Sequence, residues 1–184
     1  MERLTLKEYH RLAMRTSPKD GHDQIDNGVL GLLGETGELV DLYKKWVYQS
    51  EPNTPFPFDE AIKELGDILW YLEELASGHK TTMNAISTLT FAGLDKMTSN
   101  ISPLPPMRRV IINLSGHAHK IRRAADKQNW PEMENQMRRM MYCAAWMARL
   151  ADVSIEEVAA RNVEKLSKRY PDGFNAKISM DRYK

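Results

Sequence analysis

Gly34-Glu-Thr-Gly-Glu38 and Glu64-Leu-Gly-Asp67 decide how this chain folds. In each, two carboxylates are spaced i, i+3, which on a helix sets them on one face about a turn apart. Between them lies Glu51-Pro-Asn-Thr-Pro-Phe-Pro-Phe58, and no helix continues through three prolines so closely set. The stretch 34–74 is therefore expected to be two helices that double back as antiparallel neighbours, with both acid pairs at one level. Four carboxylates, Glu35, Glu38, Glu64 and Asp67, meeting in a partly buried place repel one another, and cations relieve that repulsion. All-oxygen donors favour Mg²⁺, with Mn²⁺ as a substitute, over zinc.

Asp23 or Asp26 opens the first of these helices, which carries Val29, Leu32, Leu33 and Leu39. Gly28, Gly31, Gly34 and Gly37 all fall inside it. Each costs about 1 kcal/mol against alanine, so close approach of a helix or of a ligand must compensate. Asp59 is expected to cap the second helix, where Glu64 and Asp67 sit among Ile62, Leu65, Ile68, Leu69 and Leu72 instead of on a solvated face. Working outward, Thr5 and Glu8 make a capping box for a first helix to about Arg15, and the residues at 17–21 break it. Residues 81–98 are weakly helical, and Ser102-Pro-Leu-Pro-Pro106 is a clear break. Helices are expected over 108–126 and onward from Pro131, the latter bearing Met133, Met137, Met140, Met141 and Met147. That density of methionine suits an adaptable core or a contact with a second copy of the chain, a homodimer or homotetramer. Ser154 and Glu157 cap the last helix, which runs to about Tyr170 and is followed by a polar tail. No strand pattern competes, so the expected class is all-α, a helical bundle in a single domain.

With 184 residues, 42% of them apolar and 28% charged, one domain with a true core is expected. The formal net charge of +1 implies no overall bias toward nucleic acid or membrane. Arg108, Arg109, Lys120, Arg122 and Arg123 do form a basic cluster, and residues 153–159 imitate part of a helix-turn-helix. A nucleic-acid-binding or regulatory module without hydrolase activity is therefore the competing expectation. The small net charge and Glu156 and Glu157 argue against it. Cys143, alone, has no intramolecular partner, which points to a cytoplasmic setting. The opening residues are too charged for a signal peptide, and no apolar run reaches bilayer length. The chain has no Glu-x-x-His, which di-iron bundles use.

Gly34-Glu-Thr-Gly-Glu38-Leu, Glu64-Leu-Gly-Asp67-Ile-Leu-Trp-Tyr-Leu and Asn162-Val-Glu-Lys165-Leu-Ser-Lys-Arg-Tyr-Pro-Asp-Gly-Phe174 together resemble the MazG-like branch of the all-α nucleoside triphosphate pyrophosphohydrolases. Tyr9 and Ala13-Met-Arg-Thr16 are similar to that family's first helix. The resemblance covers about 4–76 and 150–174. Residues 78–130 look like a helical insertion, with the helix after Pro131 resuming the family's core. It implies a Mg²⁺-dependent enzyme that cleaves a (deoxy)nucleoside triphosphate to the monophosphate and pyrophosphate, a housekeeping activity on the nucleotide pool. It also implies that Glu35, Glu38, Glu64 and Asp67 hold the metal and that Asn162 and Lys165 serve the substrate. Glu38, with Glu35 beside it, is the candidate base. Lys168 and Arg169 are further phosphate ligands, or a solvated face complementing the helix C-terminus. Trp46, Trp70 and Tyr71 are candidates to stack a base, or core residues.

Overall fold

A computed structural model describes residues 3–18 and 23–180, all-helical wherever it is regular. Helix α1 (Leu6–Ala13) starts where Thr5 Oγ1 accepts the Glu8 N–H, and a 3₁₀ turn, Met14–Thr16, follows it. The break expected at 17–21 lies partly outside the described residues, as does the end of the polar tail. Asp23 is the cap of α2 (Gln24–Gln49), accepting from the Ile25 and Asp26 N–H groups. Helix α3 (Phe58–Gly78) has Pro57 at the cap position instead of Asp59. Asp59 sits in the first turn, where a carboxylate meets the positive end of the helix dipole.

Steric constraints set the register of α2 against α3. A Cβ on Gly28 would lie 2.6 Å from Leu75 Cγ and 3.1 Å from the Leu75 backbone nitrogen, and one on Gly31 would lie 2.1 Å from the Tyr71 ring. Gly28 meets Leu75 and Gly31 meets Tyr71, so the helices are antiparallel, and those two glycines serve helix packing. Gly34 and Gly37 have nothing within 4 Å of a built Cβ. Gly28→Ala is therefore expected to destabilise by about 1–3 kcal/mol through overpacking against backbone. Gly37→Ala is expected to stabilise by up to about 1 kcal/mol. Denaturant midpoints of the two variants check the opposite signs.

The remaining helices are α4 (Met83–Ile86), α5 (Phe91–Ser99), α6 (Met107–Asp126), α7 (Trp130–Leu150), α8 (Ile155–Arg169) and α9 (Ala176–Met180). Helix α6 packs against both α2 and α7, and α8 packs against α3 and α1. One hydrophobic cluster takes in side chains from α1 to α8. The 78–130 segment contributes Met83, Phe91, Leu94, Val110 and Leu114 to that same cluster. All five methionines of α7 are buried within the chain, at most 1% exposed. They are core, and none is left to form the expected contact between copies. Exposed apolar side chains lie elsewhere, Leu30 and Tyr48 on α2 among them. Cys143 is buried, and burial pushes its thiol up to about 11, so it is an inert core residue. No helix among the described residues is long and apolar enough to cross a membrane.

Candidate metal centre between two antiparallel helices

One helical turn beyond Gly31, the same register brings Glu35 of α2 against Glu64 and Asp67 of α3. One carboxylate oxygen from each of the three lies within 4.8 Å of the others, and all three residues are half-buried. Burial, followed by the charge of Asp67 and the hydrogen bond and charge of Glu64, pushes Glu35 up to about 7. Glu64 is also raised, mainly by burial, against the lowering effect of its hydrogen bond with Glu35. Burial, the hydrogen bond between the two carboxyls and the charge around them thus keep a proton on Glu35 to a higher pH than an ordinary carboxyl holds one. Three hard oxygen donors converging in this way can hold a metal ion.

Two side chains of α8 orient Asp67. Lys165 Nζ reaches both Asp67 oxygens at 2.5 Å, and Asn162 Nδ2 donates to Oδ1 at 3.0 Å. Asn162 is itself fixed by the Tyr9 hydroxyl, which donates to its Oδ1 at 3.1 Å. Burial first, then the charges of Glu73 and Asp67, hold the Tyr9 phenol well above its ordinary value, so it stays a donor. Gly66 makes room for this arrangement, because a Cβ there would lie 3.0 Å from Asn162 Cβ.

The trio opens into a cleft of about 660 Å³. Lys63, Lys165 and Arg169 supply positive charge to its walls, and Trp70, Tyr71, Tyr170 and Phe174 supply aromatic surface. Glu38 lines the cleft one turn from Glu35, exposed, outside the converging set. The four expected carboxylates are therefore three that meet and one on the rim. Trp70 is buried, donating its indole N–H to Ala13 O and Thr16 Oγ1, both at 3.0 Å, and only borders the cleft.

Three expected substrate residues lie elsewhere. Trp46 is not in the cleft: its indole N–H bonds Thr54 O at 2.7 Å and its ring packs on Phe56, tying down the proline loop. Lys168 is exposed, pairs with Glu164 and faces a neighbouring hollow between α3 and α8. Asn162 borders that same hollow and acts on Asp67 from behind.

Lys63, Tyr170 and Phe174 were not foreseen at the site. The signal for the last two is Pro171-Asp-Gly173. Gly173 adopts φ +96°, which turns the chain back so that the Phe174 N–H bonds Arg15 O at 3.2 Å. Arg15 Nη2 in turn donates to Pro171 O at 2.8 Å. The chain after α8 is thus docked through residue 174, and the tail expected to be irregular carries one more short helix, α9, whose Ser179 also borders the cleft.

No family model, no curated protein and no solved structure matches the chain.

Proposed function

We propose that this chain is a Mg²⁺-dependent nucleoside triphosphate pyrophosphohydrolase of the MazG-like all-α type. The observation that carries the reading is the convergence of Glu35, Glu64 and Asp67 beside Lys63, Lys165 and Arg169 in one cleft. An acidic centre for a hard cation next to three protein cations suits a polyphosphate, whose own charge must be met on several sides. When bound by the three carboxylates, Mg²⁺ or Mn²⁺ would offset charge on the phosphate oxygens and lower the pKa of a nearby water toward neutrality.

The chain's own groups do the rest. Lys165 and Arg169 bind phosphate oxygens, Arg169 through its planar fork. Tyr71, Tyr170 and Phe174 offer flat apolar surface to the base and keep bulk water from that side. Glu38, held outside the trio, is the carboxylate left to accept the proton of the attacking water. Water adds across the α–β anhydride, the bridging P–O bond breaks, and monophosphate and pyrophosphate leave. Removal of surplus or non-canonical nucleotides in the cytoplasm is the role that fits this reaction.

A panel of canonical and modified nucleoside triphosphates, incubated with the full chain and 5 mM Mg²⁺ or Mn²⁺, tests the reading. Pyrophosphate is expected from at least one of them, and EDTA is expected to abolish its release. Orthophosphate in place of pyrophosphate, or no product across the panel, would overturn it.

A further inference from the structure

The net charge of +1 conceals a segregation of charge along the chain. Residues 107–150, which form the α6–α7 pair, carry nine Lys and Arg against three Asp and Glu, a surplus of +6. The rest of the chain, with 17 against 22, carries −5. On α6 the surplus is ordered. Arg108, Ile112, Gly116, His119, Arg123 and the cap residue Lys127 recur at steps of three or four, so they share one stripe. Arg109 and Lys120 flank it on one side. At 1.5 Å per residue, the row from Arg108 to Lys127 is about 28 Å long.

Val110, Ile111, Leu114, Ala118 and Ile121 turn the opposite face into the core. The stripe therefore looks outward, and all eight of its residues are exposed. Among the described residues, the side chains of Arg108, Arg109, Lys120, Arg123 and Lys127 make no ion pair or hydrogen bond. The carboxylates of the two helices are engaged: Asp126 by Arg122, Glu134 by His79, and Glu132 by Asn135 and Gln136. Nothing on α6 itself neutralises the row.

We infer that the outward face of α6 docks a nucleic acid through its phosphate backbone, at a surface separate from the acidic cleft. A line of cations with no partner among the described residues and no carboxylate within it is a polyanion site, and releasing counterions from the nucleic acid drives its binding. Arginine forks match phosphate oxygens. The row holds one large apolar residue, Ile112, and no aromatic, so it stacks no bases and binds without regard to sequence. It lacks the apolar centre that a protein partner would bury. The apolar side of α6 already lies in the core, so the helix has no face to insert into a bilayer. None of the stripe residues lines the acidic cleft.

Fluorescence anisotropy of a labelled 30-nucleotide strand and its duplex, titrated with the full chain in EDTA, tests this. Binding is expected at 50 mM NaCl and should weaken on the order of a hundredfold at 200 mM, the loss for about four phosphate contacts. Lys120→Glu/Arg123→Glu is expected to weaken binding at least tenfold while leaving the melting temperature and pyrophosphate release unchanged. Lys44→Glu/Lys45→Glu changes the net charge equally on another helix and is expected to stay within about twofold. No binding at 50 mM, or equal losses in the two variants, would overturn the inference. So would displacement of the strand by polyglutamate at equal charge, or tighter binding to phosphatidylserine vesicles than to either nucleic acid.

Discussion

A Glu35→Gln variant should fold, fail to respond to divalent cations and release pyrophosphate at least 10³-fold more slowly than the parent. Glu35 is the one carboxylate that α2 contributes to the converging set, facing two from α3. Its raised value of about 7, against an ordinary 4.5, fixes the sign of the pH effect. A carboxyl that is harder to ionise folded than unfolded costs no stability below about 4.5. The cost grows as pH rises and is complete above about 7. At 1.36 kcal/mol per unit the ceiling is about 3 kcal/mol, and solvent screening at this half-buried position brings it to about 1–2 kcal/mol. Metal-free parent protein should therefore lose stability between pH 5 and 8, whereas the glutamine variant, which has no charge to ionise, should lose less. Urea midpoints in EDTA at the two pH values measure the difference.

Adding Mg²⁺ reverses the order. The parent gains about 2.7 kcal/mol at a hundredfold excess over its dissociation constant, and the variant gains little. If the variant were stabilised by Mg²⁺ as much as the parent, the three carboxylates would not be the metal centre.

Much of this site was legible because helical spacing and a proline loop are local signals. Glu35, Glu64 and Asp67 followed from two i, i+3 pairs and a forced reversal, with no knowledge of tertiary contacts. The exclusion of Glu38 was not legible in that way. Three residues rotate a helix by about 300° and advance it about 4.5 Å. With Gly28 fixed on Leu75 and Gly31 on Tyr71, the remaining offset of about 60° and the one-turn advance leave Glu35 against Glu64 and Asp67 and Glu38 exposed at the rim. The brace formed by Tyr9, Asn162 and Gly66 joins three elements far apart in sequence, and no periodicity announces it. Trp46 carried the opposite difficulty. An aromatic residue on an acid-bearing helix invites a base-stacking role, yet it sits where the chain leaves α2, and its indole N–H finds a loop carbonyl. Methionine density on α7 was equally silent, since flexible apolar side chains suit a core and an interface alike. Net charge was silent on distribution, because a sum near zero conceals a basic helix face balanced by acids elsewhere.

Lys165→Met should separate metal binding from turnover by moving them in opposite directions. The Lys165 ammonium grips both oxygens of Asp67, and both side chains are about one-quarter exposed. A cation entering the trio must compete with it for the same carboxylate. Methionine keeps much of the volume and removes the charge, so affinity for Mn²⁺ alone is expected to rise about two- to fivefold, the scale of a partly exposed ion pair. With the competing charge gone, the three carboxylates also repel one another less compensated, and metal-free stability at pH 8 should fall. Turnover should nonetheless drop by about 10²–10³-fold, because Lys165 lines the cleft and the proposed function has its ammonium meet phosphate charge there. Electron paramagnetic resonance of Mn²⁺ binding, set beside pyrophosphate release on one protein preparation, reads both effects. A lysine that only held Asp67 in place would lower metal affinity and turnover together when removed. Tighter metal binding with slower hydrolysis is the pattern expected of a cation that competes with the metal for Asp67 and then serves the substrate.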